Sequence, residues 1–310
     1  MSDKANELPR IVCIIGPTGS GKNALALNLS RKFPLEVINF DSRQVYADLP
    51  IITAQPSESE KQVCPHHLYG FLGLKDRISA GRFTDRARQT ISEVLARGRT
   101  PFLVGGTGLY LRSLIYGLAD IPAIPEDIRL ELENECRNIG VLKLYQRLLL
   151  VDPLYSETIT NRDRQKIIRA LGVYMATGKS FSCWHREQSR QPFYLALKLG
   201  IWKELEELMP GLRQRITGMT RAGALEEVKK AWEKSGRDPT CPAFSGIGCR
   251  EIIGYLEGQT DLEQAMELWL KNTRAYAKRQ LTWFKKELDI TYLNDDQANL
   301  SRNAVNDFLS

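Results

Sequence analysis

The sequence predicts an α/β protein in which a parallel-sheet core is interrupted by an all-helical insertion. Short apolar runs alternate with helical patterns along the first third of the 310 residues, which is typical of parallel βαβ units. A proline-containing break then opens a stretch, residues 126–178, that has helical spacing and no convincing strand. A strand pattern returns after a second polar break at 186–192, so the helical stretch is interpreted as an insertion.

The first strands are predicted from short continuous apolar runs, because parallel strands are buried on both faces. Such runs occur at 11–15, 35–40 and 101–104. Two helices are predicted between them, over 23–33 and 83–97. In the first helix Leu25, Leu29 and Phe33 recur at i, i+4 and i+8, which places them on one face.

The domain boundaries follow from the two polar breaks. We assign residues 1–118 and 190–310 to the α/β core and residues 119–189 to the helical insertion. Further strands of the core are predicted at 194–202 and 289–293. We find no internal repeat that would indicate a solenoid.

Composition limits the class of protein. Apolar residues make up 43% of the chain, and no apolar run is long enough to span a membrane. The N-terminal sequence MSDKANELPR lacks the apolar core of a signal peptide, so we expect a cytoplasmic protein. The six cysteines form no CxxC pair, which argues against a zinc site and a disulfide framework. The formal charge of +6 supports a polyanionic partner only weakly, and we assume a monomer with no obligate protein partner.

A phosphate-binding motif lies between the first predicted strand and helix, where GPTGSGKN fits the P-loop pattern GxxxxGK. Glycines let such a loop wrap around phosphate oxygens, its amides point inward at a helix N-terminus, and its lysine supplies a cation. The alternative is a flexible glycine-rich turn. Gly16, Gly21 and Lys22 all occupy their positions in the P-loop pattern, which favours phosphate binding. The predicted binding residues are Gly16, Pro17, Thr18, Gly19, Ser20, Gly21, Lys22 and Asn23.

Two features of the motif depart from an ATPase. Asn23 stands where a Ser or Thr usually ligates Mg²⁺, so we expect the metal to be held more by bound phosphates and water. The strand at 101–104 ends in Gly105 and Gly106, where an ATPase places an Asp. The acid follows the second strand instead, at Asp41, and faces the phosphate site. This arrangement favours a transferase over a motor.

Seven segments, taken together and in order, resemble the tRNA dimethylallyltransferases (tRNA isopentenyltransferases) of bacterial type. They are GPTGSGKN at 16–23, DSRQVY at 41–46, TAQP at 53–56, GGTGLY at 105–110, RQKIIRAL at 164–171, GIGCREIIGY at 246–255 and YAKRQLTWF at 276–284. The resemblance implies a P-loop NTPase-like core and transfer of a dimethylallyl group from dimethylallyl diphosphate. The acceptor would be N6 of the adenosine 3′-adjacent to the anticodon in tRNAs that read codons starting with U, and pyrophosphate would leave.

The residue chemistry agrees with this reaction. An exocyclic adenine amine is a poor nucleophile and needs a carboxylate to accept its proton, which we assign to Asp41; the alternative is that Asp41 only caps the next turn. Lys22, Thr18 and the loop amides can stabilise the charge on departing pyrophosphate. The resemblance places Arg215 at the diphosphate, and Mg²⁺ would share the neutralising role.

An adenosine in a folded anticodon loop must leave its stack to reach such a site, so we expect base flipping. Asp41, Ser42, Arg43 and Gln44 are expected to contact the extruded nucleotide. Thr107 would face the channel through which this nucleotide enters, or serve only as a turn residue.

The C-terminal segment 271–286 carries six cations and no acid, with aromatic residues among them, which suits RNA. The alternative is a solvated basic face over a core stripe of Leu270, Leu281 and Phe284. The expected tRNA contacts in this segment are Arg274, Lys278 and Arg279. The resemblance adds Gly248, Arg250, Arg129, Gln165, Lys166, Ile167, Ile168 and Arg169, so that the insertion would contact the anticodon stem-loop.

Two rival functions stay open at this stage. The chain departs from the family pattern at Asn23, Gln55, Gly172 and Cys249. We expect these departures to change metal affinity and rate more than the type of reaction. A small-molecule P-loop kinase would share Lys22 and the acid after the second strand, but leaves the basic segment unexplained. A non-catalytic RNA-binding protein is favoured only by Asn23.

Overall fold

The parallel sheet is present in the computed structural model, which describes residues 8–188, 191–293 and 297–310. The strands are β1 (Arg10–Ile15), β2 (Leu35–Asn39), β3 (His66–His67), β4 (Thr100–Gly105), β5 (Leu195–Ile201) and β6 (Ile290–Leu293). Their order is β3-β2-β4-β1-β5-β6, and every neighbouring pair is parallel. The predicted α/β fold is therefore confirmed.

Strand order brings the two predicted site segments to the same edge of the sheet. β1 pairs with β4, with Val12 opposite Phe102, and β4 pairs with β2, with Leu103 opposite Ile38. Both central strands are buried beyond their first residue, as continuous apolar runs require. The segments that follow β1 and β2 therefore both emerge at the carboxyl edge, separated only by β4.

Helices cover the sheet and extend the core. They are α1 (Lys22–Ser30), α2 (Glu58–Val63), α3 (Ala80–Ala96), α4 (Gly108–Tyr116), α10 (Leu205–Arg221), α11 (Ala224–Lys234), α12 (Cys249–Leu256), α13 (Leu262–Phe284) and α14 (Gln297–Leu309). A second apolar cluster, around Trp232, Phe244 and Trp269, lies among α10–α13 and the segment after β2. None of the helices in the described ranges combines the length and apolar character needed to cross a membrane.

The chain divides into two compact units. One comprises the residues up to Ile115 together with those from Pro192 on, and the other is Tyr116–Gln191. The sequence-based boundaries stand at 118 and 190, close to these limits. The second unit contains α5 (Glu126–Ile139), α6 (Val141–Val151), α7 (Pro153–Ser156), α8 (Arg164–Thr177) and α9 (Phe181–Glu187) around a core that includes Leu132, Leu144, Leu148, Ile167 and Leu171.

Candidate functional site

A cavity of about 540 Å³ opens at the carboxyl edge of the sheet in the first unit. This is the position where parallel α/β sheets bind ligands. The P-loop, the segment after β2, the end of β4, α10, the 245–247 loop and α13 all contribute to its wall. Of the predicted site residues, the cavity wall includes Thr18, Gly19, Gly21, Lys22, Asn23, Asp41, Arg43, Gln44, Arg215 and Arg279.

The P-loop has the backbone that close approach of a phosphate needs. Gly19 and Gly21 adopt left-handed φ angles of 79° and 92°. Gly21 is the N-cap of α1, and no side chain caps the helix there. The amides of the first turn are therefore turned toward an anion site by the helix itself.

Lys22 lies within this loop. Its ammonium donates hydrogen bonds to the carbonyl oxygens of Gly16, at 3.0 Å, and Pro17, at 2.8 Å. Burial lowers the pKa of Lys22 to about 8; the charge of Arg215 acts in the same direction, and that of Asp41 opposes it. The ammonium is thus held at the phosphate site with its charge poorly solvated, which strengthens its attraction for an anion.

Asp41 both caps a turn and faces the cavity. Its Oδ1 accepts the backbone amide of Arg43 at 2.9 Å, and its own amide donates to Asn39 Oδ1 at 2.7 Å. Among the described residues, its other oxygen, Oδ2, accepts no hydrogen bond, and a Cβ placed on Gly106 would lie 3.7 Å from it. One carboxylate oxygen therefore fixes the residue while the other remains available for chemistry.

The charged groups of the wall favour an anionic ligand. The cavity is lined by four cationic side chains, Lys22, Arg43, Arg215 and Arg279, against the carboxylates of Asp41 and Glu60. Arg215 is half-buried on α10; burial lowers the pKa of its guanidinium, and the charge of Asp41 counteracts that shift.

The donors present fit Mg²⁺ only as an ion shared with a bound diphosphate. No group of three His, Cys, Asp or Glu side chains that could hold a metal occurs in the described part of the chain. Asn23, whose side-chain amide has an oxygen, lies in the cavity wall. Mg²⁺ is commonly held by one or two protein oxygens together with substrate phosphates and water, so this set is sufficient.

The comparisons with known proteins agree on one family. A family model described as IPP transferase matches residues 44–287. The tRNA dimethylallyltransferase of Maridesulfovibrio salexigens is 53% identical over 280 residues, which cover 90% of this chain and 91% of that protein. This chain belongs to the IPP transferase family. Its resemblance to the tRNA dimethylallyltransferases, inferred from seven motifs, is thereby confirmed.

Solved structures of IPP transferase relatives share the fold. The full-length tRNA isopentenylpyrophosphate transferase of Bacillus halodurans is 34% identical, with a TM-score of 0.70, over 97% of this chain and 96% of that one. A eukaryotic dimethylallyltransferase acting on tRNA is 30% identical, with a TM-score of 0.83, over 97% of this chain and 79% of that one.

Gln280, on α13, is a site residue that the sequence analysis missed. It is buried, its Oε1 accepts the backbone amide of Thr18 at 2.8 Å, and its Nε2 donates to the carbonyl oxygen of Gly106 at 3.0 Å. The sequence feature that could have identified it is its position on the buried stripe of α13, between Ala277 and Leu281. A polar side chain on a buried face requires partners, and here the partners are two site loops.

The loops after β2 and β4 are hydrogen-bonded to each other. The amide of Ser42 donates to Thr107 Oγ1 at 3.0 Å, and the structure does not include either residue in the cavity wall. Burial raises the pKa of Tyr276, on α13, well above its usual value, and the charge of Asp41 acts in the same direction. Arg43 donates to Ser245 Oγ at 2.5 Å.

α13 presents the predicted cationic surface. Lys271, Arg274, Lys278 and Arg279 are exposed on it, and Lys285 and Lys286 follow. Arg274 lies 3.5 Å from Glu206, and Arg279 packs over the ring of Tyr276. The stripe beneath is core, as expected, because Leu281 and Phe284 are buried and Leu270 packs against the apolar clusters.

Gly248 has a packing role that the motif did not reveal. It is buried with a φ of 95°, and a Cβ there would lie 2.7 Å from Trp269 and 2.8 Å from Ile52. Arg250, two residues on, is exposed.

In the insertion, the predicted tRNA contacts differ in their exposure and in their ion pairs. Gln165, Lys166 and Arg169 are exposed on α8. Ile167 and Ile168 are buried in the core of this unit, and their place in the tRNA-contacting segment stays a prediction. Their spacing on an amphipathic helix already placed them on the apolar face. Arg129 forms ion pairs with Glu126 and Glu133 on its own helix, so its charge is partly neutralised.

Proposed function

We propose that this chain transfers a dimethylallyl group from dimethylallyl diphosphate to N6 of the adenosine 3′-adjacent to the anticodon, in tRNAs that read codons starting with U. Family membership and the activity for which its relatives are named support this reaction. The observation that carries the proposal is that the P-loop lysine, Lys22, and Asp41 line one cavity, where Asp41 Oδ2 accepts no hydrogen bond from the described residues.

The diphosphate occupies the P-loop in this proposal. Its oxygens are bound by the helix amides, Lys22 and Arg215. Lys22 gives up its hydrogen bonds to Gly16 and Pro17 and donates to the diphosphate instead. The Thr18 side chain, in the cavity wall, is a further donor to the leaving group. All these groups meet charge that grows as the C–O bond breaks, so they stabilise the transition state more than the ground state.

Asp41 acts on the acceptor. A bond forms between adenosine N6 and C1 of the dimethylallyl group, the C1–O bond to the diphosphate breaks, and pyrophosphate leaves with the electron pair. The proton lost from N6 passes to Asp41 Oδ2, while Oδ1 keeps its bond to the Arg43 amide. The carboxylate therefore accepts the proton without losing its anchor.

Mg²⁺ would neutralise diphosphate charge when bound. Asn23 is the P-loop side chain that would offer it an oxygen, and phosphate oxygens and water would supply the remaining ligands. The tRNA binds the exposed cations of α13 in the first unit and those of α8 in the second. Such contacts are largely electrostatic and weaken with salt.

A transfer assay tests the proposal: labelled dimethylallyl diphosphate and unmodified bulk tRNA are incubated with wild type, Asp41→Asn and Asp85→Asn. The asparagine at 41 can still accept the Arg43 amide but cannot take a proton, so kcat falls about 100-fold or more. Asp85 is exposed on α3, and its variant keeps wild-type activity. Wild-type protein that binds tRNA but transfers no label contradicts the proposal, and phosphate transfer from ATP to a small acceptor would establish the kinase instead.

A further inference from the structure

Gln280 connects two loops of the site that come from different strands. Thr18 belongs to the loop after β1, and Gly106 to the turn after β4, next to Asp41. The glutamine is 4% exposed and uses both ends of its amide group, with Oε1 toward Thr18 and Nε2 toward Gly106. The Gly106 turn packs closely against it, since a Cβ on Gly106 would lie 2.0 Å from Nε2.

These two bonds define the residue type. Thr18, which is half-buried, offers a backbone N–H, and Gly106 offers a buried carbonyl, so the bridging side chain must accept and donate at once. Aliphatic and charged side chains of similar length cannot do both. The Thr18 amide is engaged by the protein, which leaves the Thr18 hydroxyl as this residue's group for a ligand in the cavity.

We infer that Gln280 is a positioning residue, and this rests on the proposed transferase function. It holds the Thr18 backbone so that the Thr18 hydroxyl meets the departing diphosphate. Its bond to the Gly106 carbonyl holds the other end of the amide group in place. The donor to the leaving group is thereby positioned by one buried amide.

Gln280 also belongs to the helix that carries the cationic surface. Lys278 and Arg279, directly before it, are exposed, whereas Gln280 points into the core. Its substitution should therefore leave tRNA binding by the outer face of α13 intact and change the chemical step. The expected kinetic signature is a fall in kcat with little change in the KM for tRNA.

A double-mutant cycle tests whether Gln280 acts through Thr18. The variants are Gln280→Met, Thr18→Val and the double, with Gln89→Met as the matched control because Gln89 is exposed on α3. Gln280→Met is expected to lower kcat about 10- to 100-fold in the wild-type background and less than about threefold once Thr18 lacks its hydroxyl. Gln89→Met is expected to change kcat in neither background.

The outcomes separate the two proposals. If the loss of kcat in the double variant equals the product of the losses in the two single variants, the two residues act independently. That result indicates a general structural defect and overturns the positioning role. A wild type without transfer activity contradicts the proposed function itself, and no cycle is then measured. A higher KM for tRNA with an unchanged kcat also overturns the positioning role, since it places Gln280 in RNA recognition.

A second variant covers the case in which Gln280→Met does not fold. Gln280→Glu keeps the shape, and when protonated it can accept from Thr18 and donate to Gly106, whereas the ionised form cannot donate. Burial raises a carboxyl pKa, so the ratio of variant to wild-type kcat is expected to rise as pH falls. In the Thr18→Val background that ratio should stay flat. A flat ratio in both backgrounds overturns the inference.

Discussion

A hydrogen bond of 2.7 Å joins the Glu227 carboxylate, on α11, to the backbone amide of Ile51. The second carboxylate oxygen accepts the amide of Ile52 at 2.8 Å. The chain then runs on through Thr53 and Ala54, whose carbonyl oxygens accept from Gln44. Because this segment lines the cavity, α11 holds part of the site wall although it contributes no side chain to it.

Replacing Glu227 by Ala is expected to lower the free energy of unfolding by about 1–3 kcal/mol, because two amides of the 51–52 segment lose their acceptor. Urea unfolding followed by circular dichroism measures the change. The matched control is Glu226→Ala, since Glu226 is exposed on the same helix. Equal stability of the two variants would show that water replaces the carboxylate at no cost.

The pKa of Lys22 predicts how pyrophosphate binding depends on pH. Its value in the folded protein is about 8, below the ordinary 10.5, so the free enzyme loses this charge as pH rises through 8. Pyrophosphate prefers the charged form, and its affinity is expected to fall steeply above about pH 8. The sign for stability is opposite: the folded state disfavours the charged lysine, so the contribution of Lys22 to the free energy of unfolding rises between pH 8 and 10.5.

Calorimetric titration with pyrophosphate across this pH range checks the prediction. Lys22→Met should bind weakly and lose the pH dependence, and Lys32→Met, at an exposed position after α1, should behave as wild type. A wild-type affinity that does not change between about pH 7 and about pH 9 would contradict the assignment of Lys22 to the diphosphate.

The cationic face of α13 predicts a salt-dependent loss of tRNA affinity. Lys278 is exposed and makes no ion pair with any residue in the described ranges, so its charge is available to a phosphate. Lys278→Gln is expected to weaken tRNA binding and to reduce the slope of log K against log salt by about 0.7–1. Lys32→Gln serves as control. An unchanged slope, measured by filter binding, would remove Lys278 from the interface.

Local sequence identified the loop and the acid, because each has its own pattern. GPTGSGKN and Asp41 follow apolar strands, and parallel strands bring their carboxyl ends together. Gln280 and Glu227 have no such pattern, since their partners are backbone groups 262 and 176 residues away. The motif at 164–171 also does not show that Ile167 and Ile168 are core residues, because motif identity does not distinguish exposed positions from the buried ones beside them. β3, with two residues, is too short for any periodicity.

The glycine-rich turn after β4 is expected to tolerate no side chain at Gly106. A Cβ there would lie 2.0 Å from Gln280 Nε2, and the glutamine is enclosed. Gly106→Ala is therefore expected to destabilise the protein by about 1–3 kcal/mol and to lower kcat. Gly211→Ala is the control, because a Cβ on Gly211 meets no atom within 4 Å. Thermal unfolding of both variants checks the difference, and a Gly106→Ala protein with wild-type stability and kcat would contradict this account of the turn.

The metal requirement can be tested at Asn23, where other P-loops have a hydroxyl side chain. Asn23→Thr introduces a side-chain oxygen that ligates Mg²⁺ in those loops and leaves Lys22 in place. The Mg²⁺ concentration for half-maximal transfer is expected to fall by about threefold to tenfold, while kcat at saturating Mg²⁺ changes little. Asn28→Thr, at an exposed position on α1, controls for the substitution itself. An unchanged Mg²⁺ requirement would mean that the metal is held by diphosphate and water alone, and Asn23 would then have no part in its binding.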